Sequence, residues 1–110
     1  MFKDKSEEDY YYFVAKAIAE EIAIQLDEIE DSEGSFSFDL TTVNVNPSES
    51  VIEVETTYLS NKDSKRYSKL SKITESKPTL DFLPKVIYFW YKCFNEDFKE
   101  HGIVFSNYSS

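Results

Sequence analysis

The apolar residues of this chain change their spacing once, and that change constrains the fold more than any other feature. Tyr11, Val14, Ile18, Ile22, Leu26 and Ile29 recur at helical spacing. Beyond Ser32-Glu33-Gly34 the period becomes two, through Ser35-Phe36-Ser37-Phe38-Asp39-Leu40 and again through Val51-Ile52-Glu53-Val54-Glu55-Thr56-Thr57-Tyr58-Leu59. A long helix followed by a β-hairpin predicts an α+β domain. At 110 residues the chain can build one core and is too short for two.

Local signals set the expected boundaries. Ser6 followed by Asp9 resembles a capping arrangement, with Glu7, Glu8 and Asp9 crowding the positive end of a helix that should run to about Asp31. A second ridge of Phe13, Ala17 and Ile24, beside an acidic arc of Glu20, Asp27 and Asp31, predicts a helix covered on more than one side. The apolar parity changes between Leu40 and Val43-Asn44-Val45, which predicts a bulge near Thr41 and Thr42. Asn46-Pro47-Ser48-Glu49 is turn chemistry. Residues 61–77 read either as a third, edge-like strand guarded by lysines or as a mobile loop.

After Pro78 a second helix is expected, capped by Thr79 or Asp81, with Pro84 in its first turn. Leu83, Ile87, Trp90, Phe94 and Phe98 mark its main face, which Val86, Phe89 and Cys93 widen. Lys85, Lys92, Glu96 and Lys99 should confine water to one narrow side. Gly102 should end the helix, and Ile103-Val104-Phe105 should form a short last strand. The expected architecture packs both helices on one face of a small antiparallel sheet.

Charge is sorted along the chain. Residues 1–34 hold 11 acids against 3 lysines, whereas residues 61–77 hold 6 bases against 2 acids. The net charge of −9 argues against nucleic acid or anionic lipid as a ligand, because phosphates are recognised by neutralising them. It favours a basic protein partner. A lone cysteine, Cys93, fits a reducing cytoplasm, the N-terminal Met1-Phe2-Lys3-Asp4-Lys5-Ser6-Glu7-Glu8 has no apolar signal core, and the longest apolar run, Val86 to Tyr91, is far short of a membrane span.

Chemistry-bearing residues are few. His101, directly before Gly102, reads as a helix-terminal cation or cap rather than a general base, and Cys93 as a buried structural thiol. One histidine and one cysteine make no metal site, and no catalytic residue or cofactor is expected. The acidic runs read first as a solvated surface and next as a partner-binding patch. Lys65-Arg66-Tyr67 with Lys69 and Lys72 interleaves bases with an aromatic, yet edge protection or internal compensation of charge is the better reading.

In size, acidity, order of elements and the closing stretch Phe94-Asn95-Glu96-Asp97-Phe98-Lys99-Glu100-His101-Gly102, the chain resembles bacterial immunity proteins, the cognate inhibitors of toxins delivered by contact-dependent or secretion systems. That resemblance implies a non-enzymatic cytoplasmic protein, monomeric or weakly homodimeric, that binds and neutralises a basic toxin, most plausibly a nuclease. The surface then expected to carry contact includes Glu20, Asp27, Glu28 and Asp31 of the first helix, or Glu53 and Glu55 of the second strand, with Tyr58 as an aromatic anchor. Separately, Asp31-Ser32-Glu33-Gly34-Ser35-Phe36-Ser37-Phe38-Asp39-Leu40 looks like the helix-to-strand passage of type III secretion chaperones, implying a dimer that binds an effector segment. Acidity and small size are also similar to phage anti-restriction and anti-CRISPR proteins, which act as nucleic-acid mimics.

Overall fold

The structure is a computed structural model and describes residues 2–74 and 81–107. Helix α1 spans Lys5–Glu33 and buries Tyr11, Val14, Ala15, Ile18, Ala19, Ile22, Gln25 and Ile29. Removing each such isoleucine from water contributes about 1.5–3 kcal/mol, against about 1 kcal/mol for a cap, so the stripe makes the helix and the caps trim its ends. The N-cap is Asp4, one turn's start earlier than the expected Ser6: its backbone is extended, and its carboxylate accepts the Glu7 N–H at 2.9 Å. At the other end Gly34 adopts φ 73° and donates its N–H to Glu30 O at 2.8 Å. A residue with a Cβ would be strained there.

Strands β1 (Phe36–Asn46), β2 (Val51–Ser60), β3 (Arg66–Thr74) and β4 (Ile103–Asn107) form one sheet in the order β3-β2-β1-β4. The first three pair antiparallel, and β4 joins β1 in parallel. The α+β class and the order of elements are those expected, with residues 66–74 resolved as the third strand. The β1 bulge lies between Phe38 and Leu40, earlier than predicted. Thr41 is the reason: it already occupies a core position, where it shares a hydrogen bond with Thr56, so the change of parity precedes it. Asn46 Oδ1 accepts from Ser48 Oγ at 2.8 Å and from Glu49 N–H at 3.3 Å, closing the β1–β2 turn.

Helix α2 (Phe82–Phe89) continues as a π turn, Trp90–Phe94, and a 3-10 turn, Asn95–Phe98. The expected caps divide accordingly: Asp81 is the N-cap residue, although its side chain makes no capping bond, while Thr79 and Pro78 lie outside the described residues, as does Lys77 of the basic segment. In the π turn Asn95 N–H donates to Trp90 O, five residues back. The wider turn keeps residues four apart on one side, and Trp90 meets Phe94 and Phe98 with ring centroids 6.2 and 5.3 Å away. The inserted residue also rotates Cys93 out of the apolar face, so the thiol expected to be buried is exposed.

Lys85 corrects a second expectation. Placed by sequence on the wet side, it is buried, pairing with Glu7 of α1 and, at 2.9 Å, with Asp81. The Glu7 hydrogen bond, followed by that of Asp81, pushes its pKa well above the usual lysine range. Its ammonium also lies 5.4 Å from the Tyr11 ring centroid. The lysine therefore clamps the start of α2 against the first turn of α1.

Gly102 does not cap a helix, because the helical segment ends at Phe98. Its carbonyl accepts the Thr41 N–H at 2.8 Å, and a Cβ there would lie 3.4 Å from Leu40 Cβ. That is ordinary van der Waals contact, so Gly102 marks the start of β4 beside the β1 bulge without being required there. His101, next to it, is not a helix-end cation: its ring lies 4.0 Å from the Phe38 centroid and 5.7 Å from that of Phe98, and Nε2 is buried without a partner among the described residues. Burial pushes the imidazole pKa below its ordinary 6.5, with Glu100 opposing. The folded state thus binds this proton less readily than the unfolded chain, so the contribution of His101 to stability is full above pH 6.5 and is lost as pH drops from there through the lower folded pKa. Unfolding midpoints in urea, followed by Trp90 fluorescence across that window, should fall in the native chain, and His101→Phe should remove that part of the decline.

Candidate protein-interaction surface

Much of the basic segment is engaged within the molecule. Arg66 pairs with Asp39, Lys69 with Glu28 at 2.8 Å and Lys72 with Glu49 at 3.8 Å. Lys62 donates to Ser32 O at 2.6 Å. Tyr67 donates its hydroxyl to Asp63, which holds that carboxyl below the usual range and raises the phenol. Three of the segment's bases, Arg66, Lys69 and Lys72, are thereby paired with acids from other parts of the chain, which compensates part of its charge internally.

The acids named from sequence fall on two opposite sides of the molecule, whose Cα extent along its thinnest axis is 17 Å. Strand residues alternate faces, so Ile52, Val54, Thr56 and Tyr58 point toward the helices while Glu53 and Glu55 point away. Across the outer face, Glu53 lies between Asn44 and Lys72, and Glu55 between Thr42 and Leu70. The same alternation corrects the proposed anchor. Tyr58 is buried on the helix side between Phe36 and Tyr67, each with its ring centroid 5.9 Å away, and cannot act with Glu53 and Glu55.

On α1 the residues are brought together better. At 100° per residue, Phe13, Glu20, Ile24, Asp27 and Asp31 share the side opposite the buried stripe, with Ala17 at its margin. Phe13 is 59% and Ile24 49% exposed, and Glu20, Asp27 and Asp31 are exposed beside them. Glu28 sits at the border, turned to Lys69. Glu20 is within 4.0 Å of Lys16, one helical turn earlier, an exposed pair worth little. The helix expected to be covered on more than one side is covered by the sheet and by α2, and no described element lies over this ridge.

The result is a helix face on which exposed apolar and acidic side chains stand in one row, a combination suited to docking a basic protein. It carries none of the paired, buried titratable groups that acid–base chemistry uses. Among the described residues no helix is long and apolar enough to cross a membrane, and no group of three His, Cys, Asp or Glu residues is placed to hold a metal ion. Comparison of the chain with protein-family models, with curated proteins and with solved structures finds no match in any of the three.

Proposed function

We propose that this protein is a non-enzymatic inhibitor that acts in the cytoplasm by binding a basic toxin, a nuclease, one to one through the solvent face of α1. The observation that carries this reading is a row along the solvent face of α1 in which the exposed apolar side chains Phe13 and Ile24 share one side with the exposed acids Glu20, Asp27 and Asp31. A soluble surface needs the acids but gains nothing from a large aromatic side chain held in water on the same helix face. A basic partner explains both: the acids speed encounter and exclude anionic competitors, while the two apolar side chains supply contact that outlasts it. Nucleases suit such a surface because their substrate clefts are lined by Lys and Arg.

The test is a tagged capture from host lysate at low and moderate salt, with the partner identified by mass spectrometry and the stoichiometry measured on the purified complex. A single basic protein bound one to one, with affinity falling about tenfold or more between 50 and 200 mM NaCl, supports the reading. A partner whose binding ignores salt, or an acidic one, overturns it.

A further inference from the structure

The two edges of the sheet are finished differently. Along β3 lie Arg66, Lys69 and Lys72, the kind of charge that keeps exposed edges from pairing. The opposite edge is β4, Ile103-Val104-Phe105-Ser106-Asn107, with neither a charge nor a proline. Thr41 donates to Gly102 O and stands opposite Ile103, so the alternation of a parallel ladder turns the backbone groups of Gly102, Val104 and Ser106 toward β1. Those of Ile103 and Phe105 point the other way. Among the described residues no strand pairs with them.

We propose that β4 is a self-association edge, on which a second copy of this chain adds its own β4 antiparallel and joins the two sheets into one. What selects a second copy is an edge without charge in a chain whose net charge is −9. Two such molecules repel over most of their surfaces, but residues 102–110 contain no charged side chain, so self-pairing here sets no like charges opposite one another. A basic strand finds nothing to recognise, because the side chains on the open face are Val104, 48% exposed, and Ser106. The helical layer extends the contact. α2 packs over β4, Lys85 and Phe89 face α1, and helical geometry puts Ile87, half-buried against the core, on the flank away from α1. The two-fold axis of an antiparallel seam is perpendicular to the sheet, so both α1 ridges emerge on the same side.

A five-residue strand buries little, and dissociation near about 100 µM is expected. Sedimentation velocity from about 10 µM to about 1 mM should show a monomer–dimer equilibrium that strengthens as salt screens the mutual repulsion. That direction is opposite to the one expected for the basic partner, so failure of either idea is visible without the other. Over the same concentrations the amides of Ile103 and Phe105 should gain protection from hydrogen exchange, while that of Val104, already bonded within the sheet, should not. Val104→Lys, at an exposed position that leaves folding intact by circular dichroism, should weaken association about tenfold or more, and Leu70→Lys near the other edge should not. A monomer throughout the range overturns the proposal, as does a dimer that Val104→Lys leaves intact or whose protected amides lie elsewhere.

Discussion

Replacing Gln25 by alanine is expected to lower the unfolding free energy by about 3 kcal/mol, a large part of the stability of a domain this size. Gln25 is 1% exposed in an otherwise apolar stripe, and its amide is fully used. Nε2 donates to Val54 O at 2.8 Å and to Ser71 Oγ at 2.9 Å, while Oε1 accepts from Thr56 Oγ1 at 2.6 Å. Because the Thr56 proton is committed to Gln25, the 2.8 Å contact between Thr41 and Thr56 must have Thr41 as donor. One chain of hydrogen bonds therefore runs from β3 through α1 and β2 to β1. Alanine leaves a cavity and strips partners from several buried atoms at once. Gln25→Leu fills the space and leaves the two threonines to bond each other, so it should cost only about 1–2 kcal/mol. Adding Thr56→Val to Gln25→Leu should cost less than Thr56→Val alone. Urea unfolding of the four variants and the native protein measures this, and a loss below about 0.5 kcal/mol for Gln25→Ala would show that the network carries no stability.

That network also marks where the sequence stopped being legible. Gln25 stands at helical spacing from Ile18, Ile22 and Ile29, which places it on the buried face, but its partners on β2 and β3 are 29 to 46 residues away. No local pattern names them. The same limit explains Thr41 and the misplaced bulge, and Lys85, whose burial depends on Glu7 at the far end of the chain. What periodicity does report, it reported well: the α1 stripe, the β1–β2 hairpin and the apolar start of α2 each follow from residues close in sequence. The parallel placement of β4 is a matter of crossover, and five residues carry no signal of strand direction.

The candidate surface divides along the same line. The ridge of Phe13, Ala17 and Ile24 with its acidic arc is a helical-wheel property and was visible at once; that nothing described covers it required the tertiary structure. Tyr58 failed as an anchor for a reason strand parity already contained, since an even position cannot share a face with 53 and 55. Lys69 reaching Glu28 withdrew that acid from the arc, a contact made across 41 residues and invisible to spacing.

Reversing Glu20, Asp27 and Asp31 to lysine together is expected to weaken capture of the basic partner about a thousandfold while leaving the fold intact. The three side chains are exposed and make no contact with the core, so unfolding should change by no more than about 1 kcal/mol. Most of the loss should fall in association, because charge that attracted the partner would repel it, and the salt dependence should change sign. Phe13→Ala with Ile24→Ala should act differently. Removing the two apolar side chains costs about 2–3 kcal/mol of binding, a 30- to 150-fold loss, mainly through faster dissociation and with the salt dependence unchanged. Biolayer interferometry on the captured partner separates the two rates. Glu55→Lys, on the opposite face of the molecule, serves as the control and should alter affinity less than about threefold. If Glu55→Lys abolishes binding and the α1 triple reversal does not, the partner docks on the open face of the sheet, and the exposed ridge of α1 has no part in it.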